Sequence, residues 1–347
     1  MSFIDNMLEK LKAVGVMLIS PSSTFSLWQL AFAFVVAFAF LALRQRRRRG
    51  GVRLKAVARA LCAGRLLRNR STAADFGYFL INTLTLGGLI GWAVLSGGGI
   101  ARVALSALVT CFGAHEPLAP AGVASRVVVT VVLFLAYEFG YWLDHYLKHR
   151  VPALWELHKP HHTAEALTPL TVFRVHPLDT LLFANVTAIV VGIATGLSTY
   201  AFGEETRAFS FDGVNVLLVG FMYAYVHLQH SQFWIPIRGP LGRIFMSPAH
   251  HQIHHSISAA HFNRNMGSCL AIWDWLFGTL AVPSRESPRL RFGVDEPDAD
   301  PHAIKPLLID PVRKALCALA SGRFGAAGFY DNAALAQHDS ADVDQRP

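Results

Sequence analysis

Charge is scarce in this chain. Only 16% of its 347 residues are Asp, Glu, Lys or Arg, against 53% apolar residues, and that balance excludes the pair of ordinary soluble domains that the length would otherwise allow. Cysteine is scarcer still: Cys62, Cys111, Cys269 and Cys317 have no CxxC spacing, which excludes a disulfide framework and predicts free thiols. No GxGxxG stands in a strand-turn-helix context and no HPGG segment is present, so the chain carries neither a dinucleotide site nor that haem site of its own. Internal repeats are missing as well. The HxxHH pattern occurs twice, but its surroundings differ.

Long uncharged runs take the place of charge. Thr24–Leu43 (TFSLWQLAFAFVVAFAFLAL) has the roughly 20 apolar residues that cross a bilayer as a helix. It starts too late, and meets too large a basic block, for a cleaved secretory signal, so it reads as an anchor. Further runs at Phe76–Leu95, Arg126–Leu143, Leu181–Phe202 and the short Val214–Val226 make four or five spans. The chain is therefore expected to be all-α, a multi-pass bundle of membrane helices.

Arginine sets the expected orientation. Arg44 to Arg49 (RQRRRR), followed by Arg53, Lys55, Arg59, Arg65, Arg68 and Arg70, marks a cytoplasmic loop, because Lys and Arg next to spans stay on that side. Five spans then place 144–179 and everything from His227 onward in the cytoplasm, with the acidic loop GEETRAFSFDG (Gly203–Gly213) opposite. The formal charge of +8 sits in the juxtamembrane cluster without a nucleic-acid-binding motif. It points to anionic lipid headgroups and not to nucleic acid.

Four stretches follow along the chain: an anchor and basic loop (1–70), a second span and loop with a Gly-rich break (71–125), a histidine-rich unit (126–282) and a polar tail (283–347), the last with room for an amphipathic helix near Pro311–Leu319. The chemistry is in the third. His145 and His149 are four apart at the end of a span, so they share one helix face, and Glu138 lies on that face seven residues earlier, inside the apolar run. An ionisable group there needs a partner.

LHKPHH supplies His158, His161 and His162, and Pro160 suggests that the set straddles a helix start. In SPAHHQIHHS, Ser247 can cap a helix and Pro248 can open it, which puts His251, His254 and His255 on one face and His250 on another. His227 and His230 close the fifth run, and FRVHP adds His176. Isolated His115, His302 and His338 read as surface or satisfied core groups. The clusters do not. Eight imidazoles buried without partners would cost on the order of 1–3 kcal/mol each, a sum that rivals a typical stability of about 5–15 kcal/mol.

Metal ions satisfy such groups best, and since one ion takes about four to six ligands, this many histidines imply two. Imidazole suits iron, zinc and copper alike, so spacing does not name the metal.

Together HYLKH, HKPHH, HHQIHH, the linker FRVHP, and RNMG followed by WDWLFGT make the stretch 127–282 resemble the fatty acid hydroxylase / sterol desaturase superfamily of membrane-embedded, histidine-ligated di-iron oxygenases. The resemblance implies a cytoplasmic helical cap holding two iron ions on His145, His149, His158, His161, His162, His251, His254 and His255, with His230 as an added ligand and His176 as a further candidate. His227, His250 and His261 rank lower. Glu138 stands where the family commonly has Asp, and Met266 where it commonly has Tyr. Asp144 and Asp274 are candidates to orient ligating imidazoles by accepting the outer ring N–H, while Trp142, Trp155, Trp273, Trp275 and Phe277 read as core or membrane-interface residues.

The resemblance further implies O2-dependent hydroxylation or desaturation of a membrane lipid (sterol-like, fatty acyl or aminolipid), with electrons from a separate cytochrome b5, ferredoxin or reductase. Arg- and Ala-rich, Lys-poor composition favours a bacterial inner membrane. Two other classes fit a histidine-rich membrane protein. One is a zinc-dependent lipid hydrolase. The other is a metal transporter, which would be expected to hold its ion nearer the bilayer midplane.

Overall fold

Small polar residues divide the apolar runs into helices. Ser26 accepts from the Trp28 N–H and opens α1 (Leu27–Arg49), whose last turn is Arg46–Arg49. A short helix α2 (Leu54–Leu61) follows, then α3 (Arg70–Ala93), capped by Asn69, and α4 (Gly97–Phe112), capped by Ser96. The remaining elements are α5 (Val123–Arg150), α6 (Pro152–His162), α7 (Pro177–Phe202), α8 (Val216–Gln229), α9 (Gly239–Ile244), α10 (Pro248–His254), α11 (Ile272–Leu276) and α12 (Ile304–Ala320). Among the described residues, strands are confined to a short hairpin of two residues a side, Ser210–Phe211 with Val214–Asn215. The computed structural model describes residues 12, 15–16, 18–23, 26–61, 68–294 and 300–322, without the side chains of 84–93. Cys62, Arg65 and His338 lie outside the described residues.

Among the described residues, α1, α5 and α7 are long and apolar enough to cross a membrane, and α4 and α8 are shorter apolar helices. The fold is thus an all-α bundle of membrane-crossing helices that carries a smaller helical cap with the histidines. A π-helical stretch, Met222–Val226, interrupts α8 just before His227 and His230, the kind of bulge that re-aims side chains near a functional site.

The run at Phe76–Leu95 makes only part of a crossing. Asn82 donates to the carbonyls of Phe173 and Val175, level with the start of α7, and the Leu95 N–H donates to Asn185 further along it. The path then continues through α4, which runs parallel to α7 until Tyr200 donates to the Gly113 carbonyl. The Gly-rich break is therefore a kink within one traverse, and α4 is the half that the run itself did not reveal.

Close packing holds α4 to α7. A Cβ at Gly196 would stand 2.7 Å from the Ala101 carbonyl and the Ala104 methyl, and one at Gly192 would stand 2.9 Å from the Gly97 carbonyl and Ile100. Spaced four apart, the two glycines let the backbones approach as small residues do in membrane helices.

Sidedness is internally consistent. Ser20 and Ser22 donate to Asp212 at one end of the bundle, at 2.7 and 2.8 Å. At the other end Arg48 pairs with Glu286 at 3.0 Å, on the side of the cap. The basic loop and the histidines share a face, and the acidic loop lies opposite. Cys111 and Cys317 are exposed thiols and Cys269 is a buried one, and α12 covers and extends the helix expected near Pro311–Leu319.

Replacing Gly196 with Leu should force α4 away from α7. Overpacking of this kind costs about 1–3 kcal/mol, so the purified variant should melt several degrees below the wild type while Gly220→Ala, at a position with nothing within 4 Å, should not.

Candidate metal centre

Four short segments bring the imidazoles together. The end of α5 carries His145 and His149, α6 carries His158, His161 and His162, the end of α8 leads to His230, and α10 leads to His251, His254 and His255. Ser247 caps α10 and Pro248 occupies its first turn. His250 points away, as its place in the turn dictates: its Nδ1 pairs with Ser247 at 2.7 Å and its Nε2 donates to the Gly242 carbonyl at 3.0 Å.

The second box departs from the expected local structure. Val151 and Pro152 open α6, so HKPHH lies in its last turns and Pro160 sits inside the helix end. Pro152 supplies the favourable first-turn proline, and the chain terminus of the helix is instead fastened by Arg174. This wholly buried guanidinium donates to the Pro160 carbonyl and Thr163 Oγ1, pairs with Asp75 at 3.1 Å and reaches the Ser71 carbonyl.

Nine histidines converge, all buried. Ligand atoms of His145, His149, His158, His162 and His254 lie within 4.8 Å of one another, as do those of His161, His230, His251 and His255. His176 does not join them. Its Nδ1 accepts from the Leu178 N–H as the cap of α7 and its Nε2 donates to the Leu308 carbonyl, which leaves no nitrogen for an ion. The FRVHP linker is thus a fastener for α3, α6, α7 and α12. His302, read as a bland residue, pairs with Glu165 at 3.3 Å.

Outer hydrogen bonds set the ring tautomers. His145 donates from Nδ1 to the Met266 carbonyl at 2.8 Å, His254 from Nδ1 to the Arg264 carbonyl at 2.8 Å, and His158 from Nδ1 to Asp179 Oδ2 at 2.9 Å. Each Nε2 is left with its lone pair facing inward. Those of His145 and His158 stand 3.1 Å apart, and His254 Nε2 has no hydrogen-bond partner. Lone pairs brought this close repel unless a cation lies between them. In the second group Nε2 atoms meet at 2.8–3.2 Å. Such spacing suits ligands about 2.1 Å from a common ion at roughly right angles.

Protonation offers no substitute for a cation. Burial first, and neighbouring imidazoles second, hold His161, His162, His251 and His255 well below the usual histidine range. Burial likewise lowers His230 and His254 to about 3. The residues therefore fit a pair of metal ions held by neutral imidazoles.

The acidic side chains singled out from sequence have other duties. Asp144 pairs with Lys148 at 2.5 Å and touches no imidazole in its own right. The carboxylate that does is Asp179, which also pairs with Lys148. Its only sequence signal was an acidic residue in the first turn of an apolar helix, three residues after His176. Asp274 works one step removed: it accepts from the N–H groups of Met266 and Gly267 at 2.8 Å, from Thr279 at 2.5 Å and from Trp142 at 3.3 Å, and so holds the turn whose carbonyls orient His145 and His254. Glu138 meets no histidine. It accepts from the N–H groups of Cys269 and Leu270, at 2.8 Å each.

This explains RNMG physically. Asn265 sits at φ 58°, a left-handed conformation that Asn tolerates, and aims the flanking carbonyls of Arg264 and Met266 at two ligands. A Cβ at Gly267 would meet the Leu270 carbonyl at 2.3 Å, so only glycine fits.

Changing Asp179 to Asn removes the charge behind His158 and leaves Lys148 with Asp144 alone. Metal affinity should fall about 10–100-fold, read as the metal retained against a chelator. A pH effect follows from the lowered groups. A histidine near pH 3 when folded and near 6.5 when unfolded binds more protons unfolded, so its contribution is full above about pH 6.5 and drains as pH falls toward about 3. Melting of the metal-free protein should therefore drop between pH 7 and pH 5, and added metal should offset the drop.

The comparisons with known proteins agree with this geometry. The fatty acid hydroxylase family model matches residues 130–279. Ornithine lipid hydroxylase OlsE of Rhizobium tropici is 34% identical over 166 residues, which cover 47% of this chain and 44% of that protein. Alkylglycerol monooxygenases of Danio rerio and Homo sapiens are each 28% identical over 172 residues, covering 47% of this chain and 32% of theirs. The match spans less than half the length of each of these relatives, and no solved structure matches the chain. Residues 130–279, which hold all nine converging histidines, belong to the fatty acid hydroxylase family.

Proposed function

We propose that this protein is an O2-dependent di-iron oxygenase that hydroxylates or desaturates C–H bonds of a membrane lipid. The observation that carries the reading is the convergence of nine buried imidazoles in groups of five and four. A five-histidine group exceeds the four ligands that zinc ordinarily takes, which favours iron over the zinc hydrolase reading. The groups also sit at the ends of α5 and α8 and not at their middles, unlike the midplane sites of transporters.

Two irons, when bound, supply the redox chemistry that activates O2. The protein supplies the rest. His145, His149, His158, His162 and His254 hold one ion and His161, His230, His251 and His255 the other. Asp179 and the carbonyls of Met266 and Arg264 keep three of these imidazoles in the tautomer that offers Nε2. Burial of all nine rings excludes bulk water from the reacting centre.

The substrate fits best as an amphiphile whose headgroup stays at the surface while its chain reaches the centre from the bilayer. The named relatives act on an ornithine lipid and an alkylglycerol, and a glycerolipid or aminolipid suits this chain more than a sterol. Electrons come from a separate cytochrome b5, ferredoxin or reductase on the cytoplasmic side of a bacterial inner membrane. There Arg44 and Arg46–Arg49 hold anionic lipid.

Lipids of a host with and without the gene, compared by mass spectrometry, should show a species gaining one oxygen or losing two hydrogens. Purified protein should carry about two irons per chain, and His254→Ala should lose iron together with the lipid product. Turnover in the metal-depleted variant, or lipid cleavage without O2, would overturn the reading in favour of a hydrolase.

A further inference from the structure

Glu138 and the exposed side chains of α11 pose one problem. The carboxylate lies in a membrane-crossing helix yet serves no histidine, and the cap presents Trp275, Leu276 and Phe277 at 54%, 60% and 55% exposure. We propose that residues 269–277 form a re-entrant hairpin, dipping into the bilayer leaflet beside α5 and presenting Trp275, Leu276 and Phe277 to lipid acyl chains.

Depth is the first argument. The outward stripe of α5 is Val127, Val128, Val131, Val132 and Leu135, all exposed and apolar. Counted from Val127, a hydrocarbon core of about 30 Å takes roughly 20 residues of helix, so α5 leaves it near Tyr146. Phe134 lies well inside that span and forms one buried cluster with Cys269 and Leu270, against which Phe245 and Ile272 pack. Trp273 packs on Phe139 with ring centres 5.0 Å apart, and Phe277 stacks on Trp142 at 4.3 Å. The hairpin therefore lies level with hydrocarbon and not above it.

Polar satisfaction is the second argument. Non-helical backbone survives at membrane depth only when its N–H and C=O groups are paired within the protein. Here Glu138 takes the N–H groups of Cys269 and Leu270, and the Ala271 N–H bonds the Ile244 carbonyl at 2.8 Å. The carbonyl of Cys269 accepts from Tyr225 at 2.8 Å and from the Met246 N–H at 2.9 Å, and that of Ser268 accepts from Gln229 at 2.8 Å. A carboxylate buried in a membrane helix is expensive, and sealing this backbone accounts for it.

The occupant follows from continuity. The exposed Phe277, which follows α11, adjoins α5 through Trp142, and the half-buried Trp273 of α11 adjoins it through Phe139; α5 already presents its apolar stripe outward, and α9 beside them exposes Leu241 and Ile244 next to Arg243. Arginine there can reach the headgroups while its stem lies along apolar neighbours. Acyl chains thus lie against the hairpin that follows the turn whose Met266 carbonyl orients His145.

The test uses the full chain in nanodiscs of phosphatidylcholine, with and without bromine on the acyl chains. The Trp275 emission is the difference between the wild type and Trp275→Phe. It should be lost in brominated lipid and unchanged by aqueous iodide. Quenching by iodide but not by bromolipid overturns the proposal, and so does protection from both, which would mean that a second copy or another protein covers the hairpin. Should the variant not fold, Leu276→Cys in vesicles should react with a charged maleimide no faster than the wild-type background from the chain's own four cysteines, and faster labelling overturns the proposal. Neither readout needs metal or turnover, so its outcome is independent of the proposed oxygenase activity.

Discussion

Repulsion between inward-facing lone pairs governs this molecule. Once Asp179 and the carbonyls of Met266 and Arg264 take the outer N–H groups of His158, His145 and His254, the inner nitrogens have nothing to donate. Burial opposes protonation of His254. Cations held between the rings would relieve that repulsion, and metal binding would then add to the stability of the cap. Four separate segments must meet for that to happen, and the rest of the fold serves their meeting.

Two layers of polar groups achieve it. Behind the converging histidines, Asp144, Lys148 and Asp179 form a buried ionic chain in which the lysine pairs with both carboxylates and that of Asp179 also bonds the His158 ring. Buried ions of this kind rarely add stability over apolar packing, and their value here lies in fixing a tautomer. Around them, Arg174 ties the end of α6 to α3, and His176 ties the start of α7 to α12. The C-terminal helix, which lies outside the family-matching stretch, is in this way built into the support of the histidine boxes.

Irregular buried backbone imposes the second demand. Helices satisfy their own N–H and C=O groups, but the turn carrying Met266 and Gly267 and the hairpin after it need partners from elsewhere. Glu138 and Asp274 answer this with carboxylates aimed at main-chain N–H groups. Glu138 finds in main-chain N–H groups the partner that an ionisable group in an apolar run needs. Asp274, a candidate to orient an imidazole by accepting its N–H, instead holds the turn whose carbonyl orients His145.

Some of this was legible in the residue string. Apolar runs of span length, arginine next to α1 and histidines at helical spacing each carry their physics locally, within one or two turns, and so the membrane bundle and the histidine clusters that converge in the cap could be read directly. Tertiary structure alone decided the rest, because those features join residues distant in sequence or employ the backbone. Asp179 lies 21 positions from His158, α4 completes a traverse only by lying along α7, and the carbonyls of Arg264 and Met266 have no side-chain identity to read. His176 shows the same limit in reverse: its place in a motif suggested a ligand, while its two nitrogens are claimed by main-chain groups that only folding brings within reach.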